Sequence, residues 1–155
     1  MVRNCITIAL VMLFSAGGCR KTESESGQLS KATDETAKMA AAYTLLLEKM
    51  QGDSIDSIAS ENDENLPVIQ DIIRTERMKL QAENYGNIEK GPDLCYYSKS
   101  TRKLVAIIDV TKKDQQRYYI SYYLGPEGGA SREILIEKGN GGWTVANYDG
   151  MWNVK

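Results

Sequence analysis

The chain has 155 residues, of which 26% are charged, with a formal net charge of −2, no histidine and three cysteines. The acidic balance and the lack of a basic patch exclude nucleic acid as the expected partner. Without histidine the commonest general base and metal ligand is missing, so we expect neither a metal nor any other cofactor.

The first predicted segment, residues 1–18, is an export signal. Arg3 precedes an apolar run over 6–16, which is well short of the roughly 20 residues that cross a bilayer as a helix. Ala16-Gly17-Gly18 supplies small side chains immediately before Cys19. The pattern resembles the lipobox of bacterial lipoproteins, in which the cysteine is lipidated and becomes the mature N-terminus. An ordinary secretory signal with an incidental cysteine is the alternative.

Lipidation at Cys19 would attach the protein to the membrane through its lipid anchor, because each buried methylene contributes about 0.8 kcal/mol. Arg20 stands where inner-membrane lipoproteins of enteric type carry aspartate, so the resemblance implies the outer membrane, facing the periplasm. Cys5 would leave with the signal. Cys95 then stays as a single thiol, which we expect to be packed and unreactive.

Residues 19–31 are predicted to form the lipidated cysteine and a flexible tether, since this polar stretch cannot bury enough apolar surface to become ordered. Its eleven residues 20–30 would reach roughly 35–40 Å when extended. Residues 32–155 are long enough for one domain with a single core.

Three helices are predicted at the start of this domain. The first spans Thr33 to Met50 and ends at Gly52, since apolar residues recur there at helical spacing. The second is short and begins at Asp53 as its cap, with Ile58 on its apolar side. The third begins near Pro67, a residue suited to a first helical turn.

The pattern changes to strands beyond Gly86. Five runs have strand character and short polar or glycine-rich connections, which predicts an antiparallel meander. Asn140-Gly141 is typical of a type I′ turn. The predicted strands cover residues 94–98, 104–110, 117–124, 132–138 and 143–148.

Three stretches, LEKMQGDSIDSIAS, YGNIEKG and GGWTVANYD, resemble small lipoproteins of the nuclear-transport-factor-2-like superfamily, which has the cystatin-like fold. The resemblance implies an α+β domain, in which N-terminal helices pack on a curved, cone-shaped antiparallel sheet of four to five strands. It implies no particular activity, because this fold carries many. Asp53 and Trp143 match the shared motif, and we expect both to be structural.

The face that each residue of the tyrosine-rich hairpin occupies decides whether it could form a catalytic site. Pairing residues whose numbers sum to 228 puts Leu104, Ala106, Ile108 and Val110 on the helix side, together with Tyr118, Ile120, Tyr122 and Leu124. Asp109 then lies on the outer face, which argues against its being a general base. Tyr122 is the candidate residue for a small pocket. No catalytic residue is assigned.

Val105, Ile107, Tyr119 and Tyr123 share the outer face in this register, and they form the predicted association face. Its partner would be a second copy, giving a homodimer, or another envelope protein. The leading hypothesis is therefore a membrane-anchored envelope lipoprotein whose domain is non-catalytic and binds a protein partner or a small ligand. The alternatives are an isomerase- or hydrolase-like enzyme acting in the cone, and an envelope inhibitor or immunity protein.

Overall fold

The computed structural model describes residues 25–146 and 152–154, with side chains described from Thr33 onward. The predicted signal and the lipidation site Cys19 lie outside these residues. The first helix, α1, spans Glu25–Gly52. It begins inside the segment 19–31 that was predicted to be a flexible tether. Residues 25–31 can join the helix because they contain glutamate, glutamine and lysine, which favour helix, and no proline.

The core side of α1 carries five nearly inaccessible side chains, and each is worth about 1.5–3 kcal/mol when fully buried, alanine less. They are Ala42, Tyr43, Leu46, Leu47 and Met50. The helix ends in a Schellman motif, in which the Ile55 amide donates to the Met50 carbonyl at 3.1 Å. Ser54 takes the left-handed position of this motif, with φ of 60°.

The second predicted helix does not exist, because the chain forms strand β1 (Ser57–Ser60) at that point. All four residues of β1 are buried. The strand pairs in parallel with β2 (Gln81–Glu83) on one side and with β5 (Ala106–Lys112) on the other. A central strand is covered on both faces, so it lacks the alternation that identifies half-exposed strands.

The predicted helix at Pro67 is confirmed as α2 (Leu66–Thr75), with Pro67 in its first turn. Ile69 and Ile72 are its buried residues. Short 3₁₀ turns lie at Asp63–Asn65 and Tyr85–Asn87. Residues 25–146 and 152–154 thus contain two α-helices, whereas three helices were expected in the domain.

The antiparallel meander is confirmed for the last four of its five predicted strands, whereas the first, residues 94–98, contributes to a separate hairpin. It consists of β5, β6 (Arg117–Gly125), β7 (Gly128–Gly139) and β8 (Gly142–Val145). Gly139 and Gly142 pair across the Asn140-Gly141 turn, but the left-handed φ of 117° falls at Gly142. The turn is therefore where we predicted it and is not of type I′, which needs positive φ at both central residues.

The described chain has an α+β fold with a curled, half-barrel mixed sheet in the order β2-β1-β5-β6-β7-β8. The short strand β9 (Asn153–Val154) also pairs with β7. Six to seven strands thus replace the predicted four to five. A separate hairpin of β3 (Ile88–Lys90) and β4 (Tyr96–Ser98) packs on the outer side of the sheet.

The hairpin register differs from the predicted one by two residues, since Ile108 pairs with Tyr122. A shift of two keeps every side chain on its face, so the predicted core face is confirmed for β5 and β6. Leu104 is an exception. It precedes β5 and is 42% exposed.

Candidate functional site

Tyr122, the candidate pocket residue, points from β6 toward the end of α1 and is only 7% exposed. Its hydroxyl donates a short hydrogen bond to the Asp53 carboxylate. The same carboxylate accepts from Lys49 Nζ at 2.5 Å. Asp53 is therefore the carboxylate partner of Tyr122.

The end of α1 positions this group. Asp53 directly precedes the left-handed Ser54, so the Schellman motif fixes its backbone. Lys49 is one helical turn earlier, at the spacing that brings side chains together on a helix. Asp53 thus closes α1 and does not cap a following helix as predicted. The i,i+4 spacing of lysine and aspartate was the available signal for this ion pair.

Trp152 adds an aromatic ring to the group. Its ring lies 5.9 Å from Lys49 Nζ and 5.9 Å from the guanidinium of Arg132. Arg132 is on the core face of β7 and is 6% exposed. We name Lys49, Asp53, Tyr122, Arg132 and Trp152 the C-terminal cluster, since it lies at the C-terminal end of α1.

The pKa values of Asp53 and Tyr122 are both displaced away from neutral pH. Burial raises the pKa of Asp53, but hydrogen bonds from Lys49 and Tyr122 outweigh that effect and leave the pKa below its ordinary value. Burial, then the hydrogen bond to Asp53 and its charge, raise the pKa of the Tyr122 hydroxyl. Asp53 is therefore a paired anion and Tyr122 a neutral donor. A general base or acid instead needs a pKa near the working pH.

A second group of similar composition packs against the middle of α1, on the N-terminal side of the first group, and it was not predicted from the sequence. Glu35 accepts from Lys38 at 3.0 Å, from Lys112 at 2.6 Å and from the Tyr118 hydroxyl at 3.3 Å. Lys38 is 8% exposed and also donates to the Gln115 carbonyl. We name Glu35, Lys38, Lys112 and Tyr118 the N-terminal cluster.

Trp143 borders the N-terminal cluster. Its indole Nε1 donates to Asp34 at 3.2 Å, and Lys38 lies 4.6 Å from its ring centre. The ring also lines an open groove between α1 and β8, of about 650 Å³, together with Ala41, Thr44, Leu45, Glu48 and residues 144–146. Neither Asp53 nor Tyr122 lines this groove. That Trp143 is structural stays a prediction, since its ring is half-buried and lines the groove.

The predicted association face is partly covered. Val105 is inaccessible and Ile107 is 8% exposed, because the β3–β4 hairpin packs Ile88 against them. The prediction of an exposed four-residue patch needs correction at these two positions. Tyr123 lies at the edge of the covered cluster and Tyr119 beyond it, both half-buried. Self-association through this face stays a prediction.

Asp109 and Cys95 were also singled out by the sequence. Asp109 is exposed as predicted and accepts from the Thr111 hydroxyl at 2.7 Å. Cys95 is half-buried, less covered than expected, and desolvation followed by the charge of Asp93 raises the pKa of its thiol. A raised pKa disfavours the reactive thiolate. Within residues 25–146 and 152–154, no three acidic or cysteine side chains group as metal ligands.

A scan of family models and searches of curated proteins and of solved structures gave no match to this chain. Among the described residues, no helix has the length and apolar character needed to cross a membrane.

Proposed function

We propose that the protein is a membrane-anchored envelope lipoprotein whose folded domain acts by binding a protein partner or a small ligand, without catalysis. The anchor part of the proposal rests on the sequence before Cys19, where a lone cation, a short apolar run and small residues succeed one another. We propose the outer membrane, facing the periplasm, as its location.

The state of the C-terminal cluster supports the non-catalytic part. An isomerase acting through a carboxylate base and a tyrosine would need a carboxylate that is available to accept a proton. Asp53 is held by Lys49 and Tyr122, and the pKa values of Asp53 and Tyr122 are displaced away from neutrality. Such a group fixes the end of α1 against β6.

We also propose a relationship to the nuclear-transport-factor-2-like superfamily. A long first helix packed against a curled sheet supports it, as does the turn before Trp143. Strand β1 departs from the pattern, since the resemblance implies a helix after Gly52. The proposed function does not depend on this relationship.

The anchor is tested by feeding cells labelled palmitate and comparing the wild type with Cys19→Ala. We expect label and membrane fractionation for the wild type, and neither for the variant. Equal label in both proteins would contradict lipidation at Cys19. Separating inner and outer membranes on a density gradient then tests the proposed location.

The non-catalytic role is tested by titrating the tyrosines through their ultraviolet absorbance, in the wild type and in Tyr122→Phe. We expect the difference between the two proteins to titrate above the pH of free tyrosine, because burial and Asp53 oppose ionisation. A difference that titrates near neutral pH would instead indicate an activated tyrosine and an enzyme. Tyr119→Phe is the matched control, since that ring lies on the outer face of the same strand.

A further inference from the structure

The outer face of the sheet carries a row of polar side chains that take no part in either cluster. Asp109 pairs with Ser121 between β5 and β6, and Ser121 pairs with Ser131 between β6 and β7. Asn153 of β9 pairs with Ser131 in turn. Residues that pair directly across neighbouring strands have their side chains on the same face. The four side chains therefore form one line across the sheet, which we name the polar row.

Two tyrosine rings flank the polar row. Tyr119 and Tyr123 stand two residues before and two residues after Ser121 on β6, so their side chains share its face. Their Cα atoms are separated by four residues, or about 13 Å of strand. Gly129, the partner of Tyr123 on β7, has no side chain to fill the space beside that ring.

Each ring is held in place by contacts outside the polar row. Lys113 Nζ lies 5.3 Å from the centre of the Tyr119 ring. The Tyr123 ring packs edge-on against Tyr96, with the two ring centres 6.2 Å apart, and its hydroxyl donates to the Leu94 carbonyl at 3.3 Å. The two rings are thus ordered before any ligand arrives, which lowers the entropic cost of binding between them.

A pocket of about 210 Å³ lies between the rings, and we name it the outer pocket. Among the described residues that line it, none is charged. The half-buried hydroxyls of Ser121 and Ser131 and the side-chain amide of Asn153 make no hydrogen bond to another described residue. These groups are therefore available to a ligand. The lining includes Tyr119, Ser121, Tyr123, Gly129, Ser131 and Asn153.

The outer pocket suits a small neutral ring that bears hydroxyl groups. Hydroxyl and amide side chains both donate and accept, as the hydroxyls of a sugar do. The tyrosine rings offer flat apolar surfaces to the C–H groups of such a ring. Asp109, in the same row, disfavours an anion. The volume is below the roughly 300–1,000 Å³ of pockets for drug-sized ligands, so one ring is the expected size.

We propose that the outer pocket binds one neutral sugar ring, free or as part of a glycan. The inference rests on the proposed function and deepens it, since it names the small ligand of a non-catalytic domain. A sugar suits this face better than a second copy of the chain, because the β3–β4 hairpin covers Val105 and Ile107 and the remaining surface has a polar centre.

The test uses saturation-transfer NMR on the full chain, in a detergent that has no sugar headgroup. The probes are glucose, galactose, mannose and N-acetylglucosamine, each also as a short oligosaccharide. Choline and sulfate are the cationic and anionic controls. We expect a response from at least one sugar and none from the controls. A stronger response from the oligosaccharide indicates a glycan, and a stronger response from the single ring indicates a free sugar. No response from any sugar, or a response from choline alone, would overturn the proposal.

Substitutions locate the bound sugar. Ser131→Ile fills the outer pocket and should abolish the response, whereas Thr144→Ile adds the same bulk at an exposed position of β8 and should not change it. Tyr119→Ala should weaken binding about tenfold, and Tyr119→Phe, which keeps the ring, should bind like the wild type. Urea unfolding shows that each variant is folded. Equal losses in Ser131→Ile and Thr144→Ile, or no loss in Tyr119→Ala, would overturn the site.

This inference and the proposed function fail in different ways. Conversion of the bound sugar into a product would contradict the non-catalytic function and still support the outer pocket as its binding site. Absence of sugar binding in a protein that carries lipid on Cys19 would contradict only this inference.

Discussion

The two clusters along α1 use the same three kinds of side chain with different degrees of burial. In the N-terminal cluster, Glu35 accepts hydrogen bonds from two lysines and a tyrosine, and one of these lysines is nearly inaccessible. In the C-terminal cluster, Asp53 accepts from one lysine whose side chain is 25% exposed and from one tyrosine. The bond from this tyrosine is shorter than the bond from Tyr118 to Glu35. A carboxylate should therefore contribute most to stability where it compensates a buried charge, whatever its own exposure.

Removing the carboxylate of each cluster should give the largest difference in the free energy of unfolding between the two clusters. Glu35→Gln leaves Lys38 buried with a carbonyl and an aromatic ring as neutral partners, so we expect a loss of about 3 kcal/mol. Asp53→Asn leaves a more exposed lysine and a tyrosine that can still donate to the amide, so we expect about 1 kcal/mol. Urea unfolding of the domain measures both.

Asp71→Asn is the control for that experiment, because Asp71 pairs with Arg74 on an exposed part of α2. Its free energy of unfolding should change by less than about 0.5 kcal/mol. A loss at Asp53 equal to or larger than the loss at Glu35 would reverse the comparison.

Removing the tyrosine hydroxyl should instead cost more stability in the C-terminal cluster than in the N-terminal cluster. Both losses should be smaller than the loss expected for Glu35→Gln. Tyr122→Phe deletes a short hydrogen bond to a carboxylate, for which we expect a loss of about 1.5 kcal/mol. Tyr118→Phe deletes a bond of 3.3 Å to a carboxylate that keeps two lysines, so we expect less than about 1 kcal/mol. Unfolding curves of the two variants check the order, and a larger loss for Tyr118→Phe would contradict it.

The dependence of stability on pH should give the smallest effect. The pKa of Glu35 is lowered by hydrogen bonds from Lys112 and Lys38, and that of Asp53 is also lowered, so the folded state binds fewer protons than the unfolded state. Stability should therefore decrease as the pH falls from about 5 to about 3. Burial and the charge of Glu35 raise the pKa of Tyr118 from 10.0 to about 12, so stability should also decrease as the pH rises through that range.

The contributions of the two clusters to acid destabilisation can be separated by comparing the unfolding midpoints of Glu35→Gln and Asp53→Asn at several pH values. In each variant, stability should depend less steeply on pH than in the wild type, because one titrating group is gone. An unchanged slope in both variants would show that other carboxylates dominate.

Sequence patterns were most informative where one face of an element is exposed. The alternation in β5 and β6 identified Ile108, Ile120 and Tyr122 as core residues, and this is confirmed although the register was wrong by two. Pro67 and the helical spacing of the apolar residues that follow it predicted α2. Periodicity carries this information because one side of the element differs from the other.

The rest depended on contacts between distant residues. The buried strand Ser57–Ser60 has no alternation, and its parallel partners lie 24 and 48 residues later in the chain. The β3–β4 hairpin covers Val105 and Ile107, which the alternation alone placed on an exposed face. In the candidate site, Tyr122 was predicted but Asp53 was not recognised as its partner, since 69 residues separate them.

The position of β1 has a consequence for the order in which the chain folds. This strand is synthesised early, yet it lies in the middle of the sheet between β2 and β5. A chain that has emerged only as far as residue 104 lacks β5 to β8 and therefore cannot complete the layer against which α1 packs. The polypeptide must stay open until its second half arrives. The export proposed above would require the chain to be threaded through a translocation channel before it folds, and a topology that is completed only by the second half of the chain is compatible with that order.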